Sequence, residues 1–370
     1  MPAEPIERRP AAPFRAARAA KAHKRAMPIE RLVGNGMSDF DARELHFRVD
    51  AGEPWHEAAE RLGDQNLARA QDALDQRRRR SAREWFFLAS ACYRFGQVPL
   101  ADADPQKRRL YRRMLDAFRS AGRLGEPPHE RIDVPWRAGL LSGWLIPRAA
   151  PAPVVVKLCG ISGSREEYEA GTRYLTARGL AAALVDAPGQ GETRLLGGLH
   201  FDEHAIDAVR ALVDAVVAHP ACDGRIGLWG NSAGGWLAVQ AAASDPRVAA
   251  CCVTGGTDRP TEILDRYPRF VAELQRMTGR DDPDDARAVF DRLAIGADIL
   301  NDVRCPLHVV HGTPDRIFRV DGARRIHAGA RSPDKTLTEF PDGDHCITNR
   351  SHEKHVLVAD WFADRLTRRR

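Results

Sequence analysis

Lysine is scarce in this chain: six of the 56 basic residues are Lys and the rest are Arg. That bias reads as the codon usage of a GC-rich genome rather than as a functional signal. No run approaches 18 apolar residues, which excludes a membrane-spanning helix. No charged segment followed by an apolar one opens the chain, so no secretory signal is expected. The seven cysteines are odd in number and form no C-x-x-C pair. Buried, reduced thiols in a cytoplasmic protein are the plain reading. The chain also lacks a G-x-x-x-x-G-K-[ST] phosphate loop and a G-x-G-x-x-G dinucleotide fingerprint. No cofactor is expected.

An excess of one charge is nearly lacking too, because 56 basic residues face 51 acidic ones. Residues 1–25 hold seven Arg or Lys against Glu4 and Glu7, and Arg368–Arg370 add three more. Residues 26–367 then carry 46 basic and 49 acidic groups, a mildly acidic body. The positive balance belongs to two ends that read as disordered tails. Neither nucleic acid nor a membrane is expected as partner. What is present is globular: 43% hydrophobic and 29% charged residues over 370 positions, room for one large α/β domain and an accessory one.

Three regions follow the basic tail of residues 1–26. Residues 27–126 read as helices, over His56–Gln76, Ser81–Phe95 and Asp104–Arg123. The last opens with an Asp cap and Pro at its first position. From residue 127 the texture changes. Residues 131–147 alternate around a turn at Arg137–Gly139, as a hairpin does. Short apolar runs then alternate with helical patterns to residue 370, which argues for a mostly parallel, doubly wound α/β sheet. Residues 258–300 break that rhythm and read as a helical cap insertion.

The chemistry concentrates in Gly230-Asn231-Ser232-Ala233-Gly234, a G-x-S-x-G directly after an apolar strand and directly before an apolar helix. A serine hydroxyl is a weak nucleophile and must stand where a base reaches it. A tight strand-to-helix turn does this, and the helix start offers the Ala233 N–H to an oxyanion. The order nucleophile, acid, base then picks Asp315, in the loop after the strand ending at Val310, and His345, after the last strand. A turn-capping Asp and a merely packed His are the plainer readings of those two. The loop Gly160–Glu167 follows the first long parallel strand, and its Ile161 N–H is the candidate second oxyanion donor. His200 and His204 have the i, i+4 spacing of zinc ligands but flank a helix start, and His352 and His355 are three apart. No metal is expected.

These pieces together resemble the α/β-hydrolase family. More narrowly, they resemble its branch with an all-helical N-terminal domain, which includes FrsA-type esterases, 2,6-dihydroxypseudooxynicotine hydrolase and fungal polyketide-shortening hydrolases. The carrying segments are Ala91–Gln97, Ile132–Pro147, Gly160–Glu167, Asp186–Thr193, Gly230–Gly235, His311–Phe318 and Gly343–Cys346. One departure is Ser162, where the branch usually has Asp. The resemblance implies a Ser232–His345–Asp315 triad acting on a small-molecule acyl substrate and a homodimer. It further implies hydrolysis of a carbon–carbon bond in an acylated aromatic or β-diketone, polyketide-like compound. Carbon–carbon cleavage needs a proton delivered to carbon, for which Glu262 and Asp265 in the cap are possible auxiliary acids. The helical domain is expected to close the pocket, with Trp85, Phe86 and Tyr93 either lining it or packing a core. A carboxylesterase or thioesterase on a bulky acyl ester is the alternative. A regulatory or binding protein on a hydrolase scaffold is the alternative of another class.

Overall fold

The computed structural model describes residues 21–161 and 163–367. The expected tails at 1–20 and 368–370 lie outside them. Residues 21–26 depart from the expected tail and are helical. The ring of His23 meets Trp55 edge-on at 6.1 Å, and Lys24 pairs with Asp50 at 2.5 Å. These contacts give the segment the tertiary support that its sequence alone does not.

The chain divides into two compact units between Leu124 and Gly125. The first is helical, with Ile29–Gly34, Asp39–Asp50, Trp55–Asp75, Arg79–Gln97 and Pro105–Arg123. Asp104 caps the last of these by accepting from the Gln106 N–H at 2.9 Å. The Tyr93 ring fills the space that a side chain at Gly63 would take, and its hydroxyl donates to Asp64 at 2.7 Å. Phe86 packs in this unit's own core, and Arg69 covers the half-buried Trp85 at 5.0 Å. All three aromatics therefore have packing roles here.

The second unit is built on one eight-stranded sheet in the order β1-β2-β4-β3-β5-β6-β7-β8. The strands are β1 (Glu130–Trp136), β2 (Gly139–Ile146), β3 (Ala152–Leu158), β4 (Ala181–Asp186), β5 (Cys222–Asn231), β6 (Val248–Thr254), β7 (Leu307–Gly312) and β8 (Lys335–Phe340). The β1–β2 hairpin is antiparallel, β2 meets β4 antiparallel, and all remaining pairs are parallel. Buried runs such as Val154–Leu158 and Ala181–Asp186 need cover on both faces. The helix Ala205–Val217, with Val209, Leu212, Val213 and Val216 buried, is part of that cover. Parallel strands send all their carboxyl ends to one edge, where such sheets place their sites.

The insertion between β6 and β7 is helical in short pieces, Pro260–Asp265, Pro268–Phe270, Val271–Thr278, Pro283–Arg292 and Ala297–Asp302. Phe290 anchors it, stacking on Phe201 at 4.7 Å and on Trp236 at 5.9 Å. Among the described residues no helix is long and apolar enough to cross a membrane.

Candidate active site

Sheet register assembles the site. Leu158 on β3 pairs with Gly230 on β5, so the loop leaving β3 runs beside the turn that leaves β5. Asn231 pairs with Thr254, Thr254 with Val310, and Gly312 with Phe340. Four strands thus end in step, and their loops converge.

Ser232 stands in the turn between β5 and the helix Ala233–Ser244, at φ 56° and ψ −126°. A non-glycine residue at this positive φ costs on the order of 1–3 kcal/mol and persists only where the surroundings enforce it. They do so here. The Ser232 N–H donates to the Thr254 carbonyl at 2.9 Å. A Cβ on Gly230 would overlap the Gly234 carbonyl, and one on Gly234 would overlap the carbonyls of Leu158 and Cys159. The spacing of the two glycines around the serine is thus a steric requirement of the turn. The following helix begins at Ala233, so its first N–H groups adjoin Ser232 with the helix dipole behind them.

His345 connects Ser232 and Asp315. Its Nε2 lies 2.9 Å from Ser232 Oγ and its Nδ1 lies 2.8 Å from Asp315 Oδ2. With Asp315 accepting from Nδ1–H, Nε2 is left to take the serine proton. Asp315 is also the turn cap that its sequence suggested. Its Oδ1 accepts from the N–H groups of Ile317 at 2.7 Å and Phe318 at 3.2 Å. One oxygen therefore fixes the carboxylate and the other orients the imidazole. His311 adds a second imidazole, with Nε2 3.4 Å from Asp315 Oδ2.

The charges follow. Burial pushes the Asp315 carboxyl up, but the charge of His345, its hydrogen bond and His311 outweigh that and hold it below the usual range. For His345, burial disfavours the cation, yet the Asp315 charge and hydrogen bond win and raise its pKa well above the ordinary value. The His345 ring is edge-on to Phe318 at 5.7 Å. Its loop is strained: Cys346 and Ile347 have φ 57° and 53°. The loop is held by Lys354 Nζ donating to the Cys346 carbonyl at 2.9 Å and by Cys346 Sγ against the Thr254 carbonyl at 3.5 Å.

The loop after β3 is equally close. A Cβ on Gly160 would lie 3.0 Å from Ser232 Cβ and 3.4 Å from Oγ, so Gly160 packs against the nucleophile and Ile161 follows directly. Sequence reasoning missed the two side chains that hold this loop. Gln190 Nε2 donates to the carbonyls of Cys159 at 2.8 Å and Gly160 at 3.0 Å. Fully buried Arg165 donates to Asp186 from its backbone N–H at 2.8 Å and from its guanidinium at 2.6 Å, and also reaches Glu192. No sequence pattern pointed to them: Gln190 is uncharged, and a buried Arg demands a partner without saying which.

Of the two expected auxiliary acids, Glu262 lies near the Asp315 loop: its Oε1 accepts from the Arg319 N–H at 3.2 Å, one residue past Phe318. Asp265 is exposed. His204 faces Asp207 at 3.6 Å, and among the described residues no group of three or more His, Cys, Asp or Glu could hold a metal ion.

The chain is similar to known hydrolases. The model of the X-Pro dipeptidyl-peptidase (S15) family matches residues 54–267, and that of the prolyl oligopeptidase family matches residues 167–369. A 2,6-dihydropseudooxynicotine hydrolase from Paenarthrobacter nicotinovorans is 27% identical, covering 77% of each chain. The crystal structure of a 2,6-dihydroxy-pseudo-oxynicotine hydrolase superposes with a TM-score of 0.83 at 25% identity, over 91% of this chain and 95% of that one. The α/β hydrolase ucsC from an Acremonium species is 30% identical over 68% of this chain. The chain spans 56% of that fungal relative's length, so it matches little more than half of it.

Proposed function

Because the chain belongs to the α/β-hydrolase family, we propose that Ser232, His345 and Asp315 are the catalytic triad of a serine hydrolase acting on a carbon–carbon bond. The observation that carries the triad is the relay itself, 2.9 Å from Ser232 Oγ to His345 Nε2 and 2.8 Å from His345 Nδ1 to Asp315. The substrate class, an acylated aromatic or a β-diketone, polyketide-like compound, is supported by the likeness to a pseudooxynicotine hydrolase across most of both chains.

In this reading Ser232 Oγ bonds to the substrate carbonyl carbon while its proton passes to His345 Nε2. The carbonyl electron pair moves onto oxygen, where the N–H groups of Ala233 and Ile161 receive it. Each such donor contributes roughly 3 kcal/mol to the transition state. Collapse breaks the carbon–carbon bond. The electron pair leaves on carbon, spread into an adjoining carbonyl or phenol, and takes up the proton that His345 received from Ser232, directly or relayed through the Glu262 carboxylate, which returns His345 to its neutral form. Water, losing a proton to His345, then frees the acyl group from Ser232. With an ester the leaving group is an alkoxide and the same residues suffice. The homodimer belongs to the same proposal, and light scattering reads it directly.

The test has two stages. A fluorophosphonate should label the wild type at Ser232, with labelling abolished in Ser232→Ala and strongly slowed in His345→Ala. Unlabelled wild type would leave a binding protein on a hydrolase scaffold. Turnover of an aromatic β-diketone is then compared with p-nitrophenyl esters. Turnover of the esters alone assigns a carboxylesterase or thioesterase instead.

A further inference from the structure

Hydrogen bonds hold several backbone groups of the loop that follows β3. Gly160 N–H donates to the Tyr168 hydroxyl at 3.2 Å. The Gly160 carbonyl accepts from Gln190 Nε2 at 3.0 Å and from the Gly163 N–H at 3.2 Å. The Gly163 carbonyl accepts from the Gly191 N–H at 3.1 Å. Among the described residues the Ile161 N–H finds no acceptor. It shares a peptide plane with the Gly160 carbonyl, and in a trans peptide those two groups point in opposite directions. Fixing the carbonyl therefore fixes the direction of the N–H.

Gln190 is placed to do this and little else. It is 1% exposed, in the loop after β4 rather than in the loop it holds. Its amide is used at both ends. The Oε1 accepts from the Ala187 N–H at 3.1 Å, which orients the NH₂ group, and that group donates to the Cys159 and Gly160 carbonyls. Only an uncharged amide of this length offers an acceptor on one side and two donors on the other. A carboxylate there would face two carbonyl oxygens with no proton to give.

We propose that Gln190 is a positioning residue for catalysis: by holding the Gly160 carbonyl it aims the Ile161 N–H at the oxyanion formed when Ser232 attacks. This rests on the reading of Ser232 as nucleophile. The contribution is made in the transition state, since ground-state binding does not need the N–H so tightly aimed.

The experiment follows Ser232 phosphonylation by a fluorophosphonate at varied concentration, which separates reagent binding from bond formation. Its phosphoryl oxygen takes the oxyanion's place. Gln190→Glu and Gln190→Met are compared with wild type, with thermal unfolding measured alongside. The expected result is a fall of about 10- to 100-fold in the limiting rate, as for a weakened oxyanion donor. The half-saturating concentration should stay within threefold, and a boronic acid should bind correspondingly less tightly. Unchanged limiting rates in a folded variant overturn the proposal. So does a loss that follows half-saturation or melting temperature instead. If Gln190→Glu does not fold, Gln190→Met decides by the same measurements. Wild type that takes up no label defeats the reading of Ser232 instead, which keeps the two failures apart.

Discussion

Gly160 and Ser232 share one space: the place of a side chain on Gly160 is taken by the Ser232 side chain, with a notional Cβ 3.0 Å from Ser232 Cβ and 3.4 Å from Oγ. Ser232 is thus packed from the side of the peptide that carries the proposed oxyanion donor, the Ile161 N–H. Gly160→Ala should move either the serine or the Ile161 peptide by a few tenths of an ångström. Errors of that size in aligned groups are costly. The expected outcome is a drop of about 10- to 100-fold in fluorophosphonate labelling rate, with a circular dichroism spectrum like that of wild type. A rate within twofold of wild type would show that the loop and serine adjust without loss.

The pH profile should carry the His345–Asp315 pair. Reaction needs neutral imidazole on the free enzyme, and the ionised Asp315 holds the His345 pKa well above its usual value. The rate should therefore rise with pH through an inflection above 6.5, the unperturbed value. In Asp315→Asn the opposing charge is gone while burial remains. The inflection should move down, and the maximal rate should fall by about four orders of magnitude as the tautomer is lost. The same shifts enter stability with opposite signs. The raised His345 stabilises the fold below pH 6.5 and loses that contribution as pH climbs through its folded value. The depressed Asp315 stabilises above 3.8 and loses it as pH falls through its own. Chemical denaturation of wild type and Asp315→Asn across pH 3–9 checks both.

Much of this site was legible because its residues are tied to periodic elements. The Asp186 strand end and the Asp104–Pro105 helix start agree with the structure because buried runs and caps are local signals. Ser232 was legible for the same reason, since its strained turn forces small neighbours into the sequence. Gln190 and Arg165 were not. Their partners lie 30 residues away on Gly160 and 21 away on Asp186, and no local pattern reports such pairing. The double use of Asp315 was equally hidden, because turn cap and catalytic acid were read as competing roles. Residues 21–26 read as tail because their sequence is basic, whereas Trp55 and Asp50 give that segment its contacts.

Lys157 is a buried amine set against stability. Its Nζ sits 3.7 Å above the Trp229 ring and finds no hydrogen-bond partner among the described residues. Burial first, and the neighbouring Lys354 charge second, lower its pKa to about 7 from 10.5. The unfolded chain then holds a proton that the folded one has released between those two values. Stability should rise with pH across that window. Lys157→Met keeps the volume and removes the titration. It should flatten the rise and add about 1 kcal/mol or more at pH 7, as apolar replacement of a buried ion often does. Urea melts at pH 7 and 9.5 read this: equal pH dependence in both proteins would mean that Lys157 does not titrate there.

Glu262 separates the two hydrolytic chemistries. Its carboxylate accepts from the Arg319 N–H at 3.2 Å, on the segment whose Phe318 touches the His345 ring. Gln at this position keeps an oxygen for that hydrogen bond and can no longer take up and pass on a proton. A leaving carbanion needs a proton delivered to carbon, whereas a nitrophenolate leaves without one. General acid catalysis is worth about 10²- to 10⁴-fold. Glu262→Gln should therefore slow turnover of an aromatic β-diketone by at least about 100-fold while ester turnover and Ser232 labelling stay within threefold. Equal losses on both substrates would assign Glu262 to holding the Arg319 segment. No loss on either would leave His345 as the proton source for carbon.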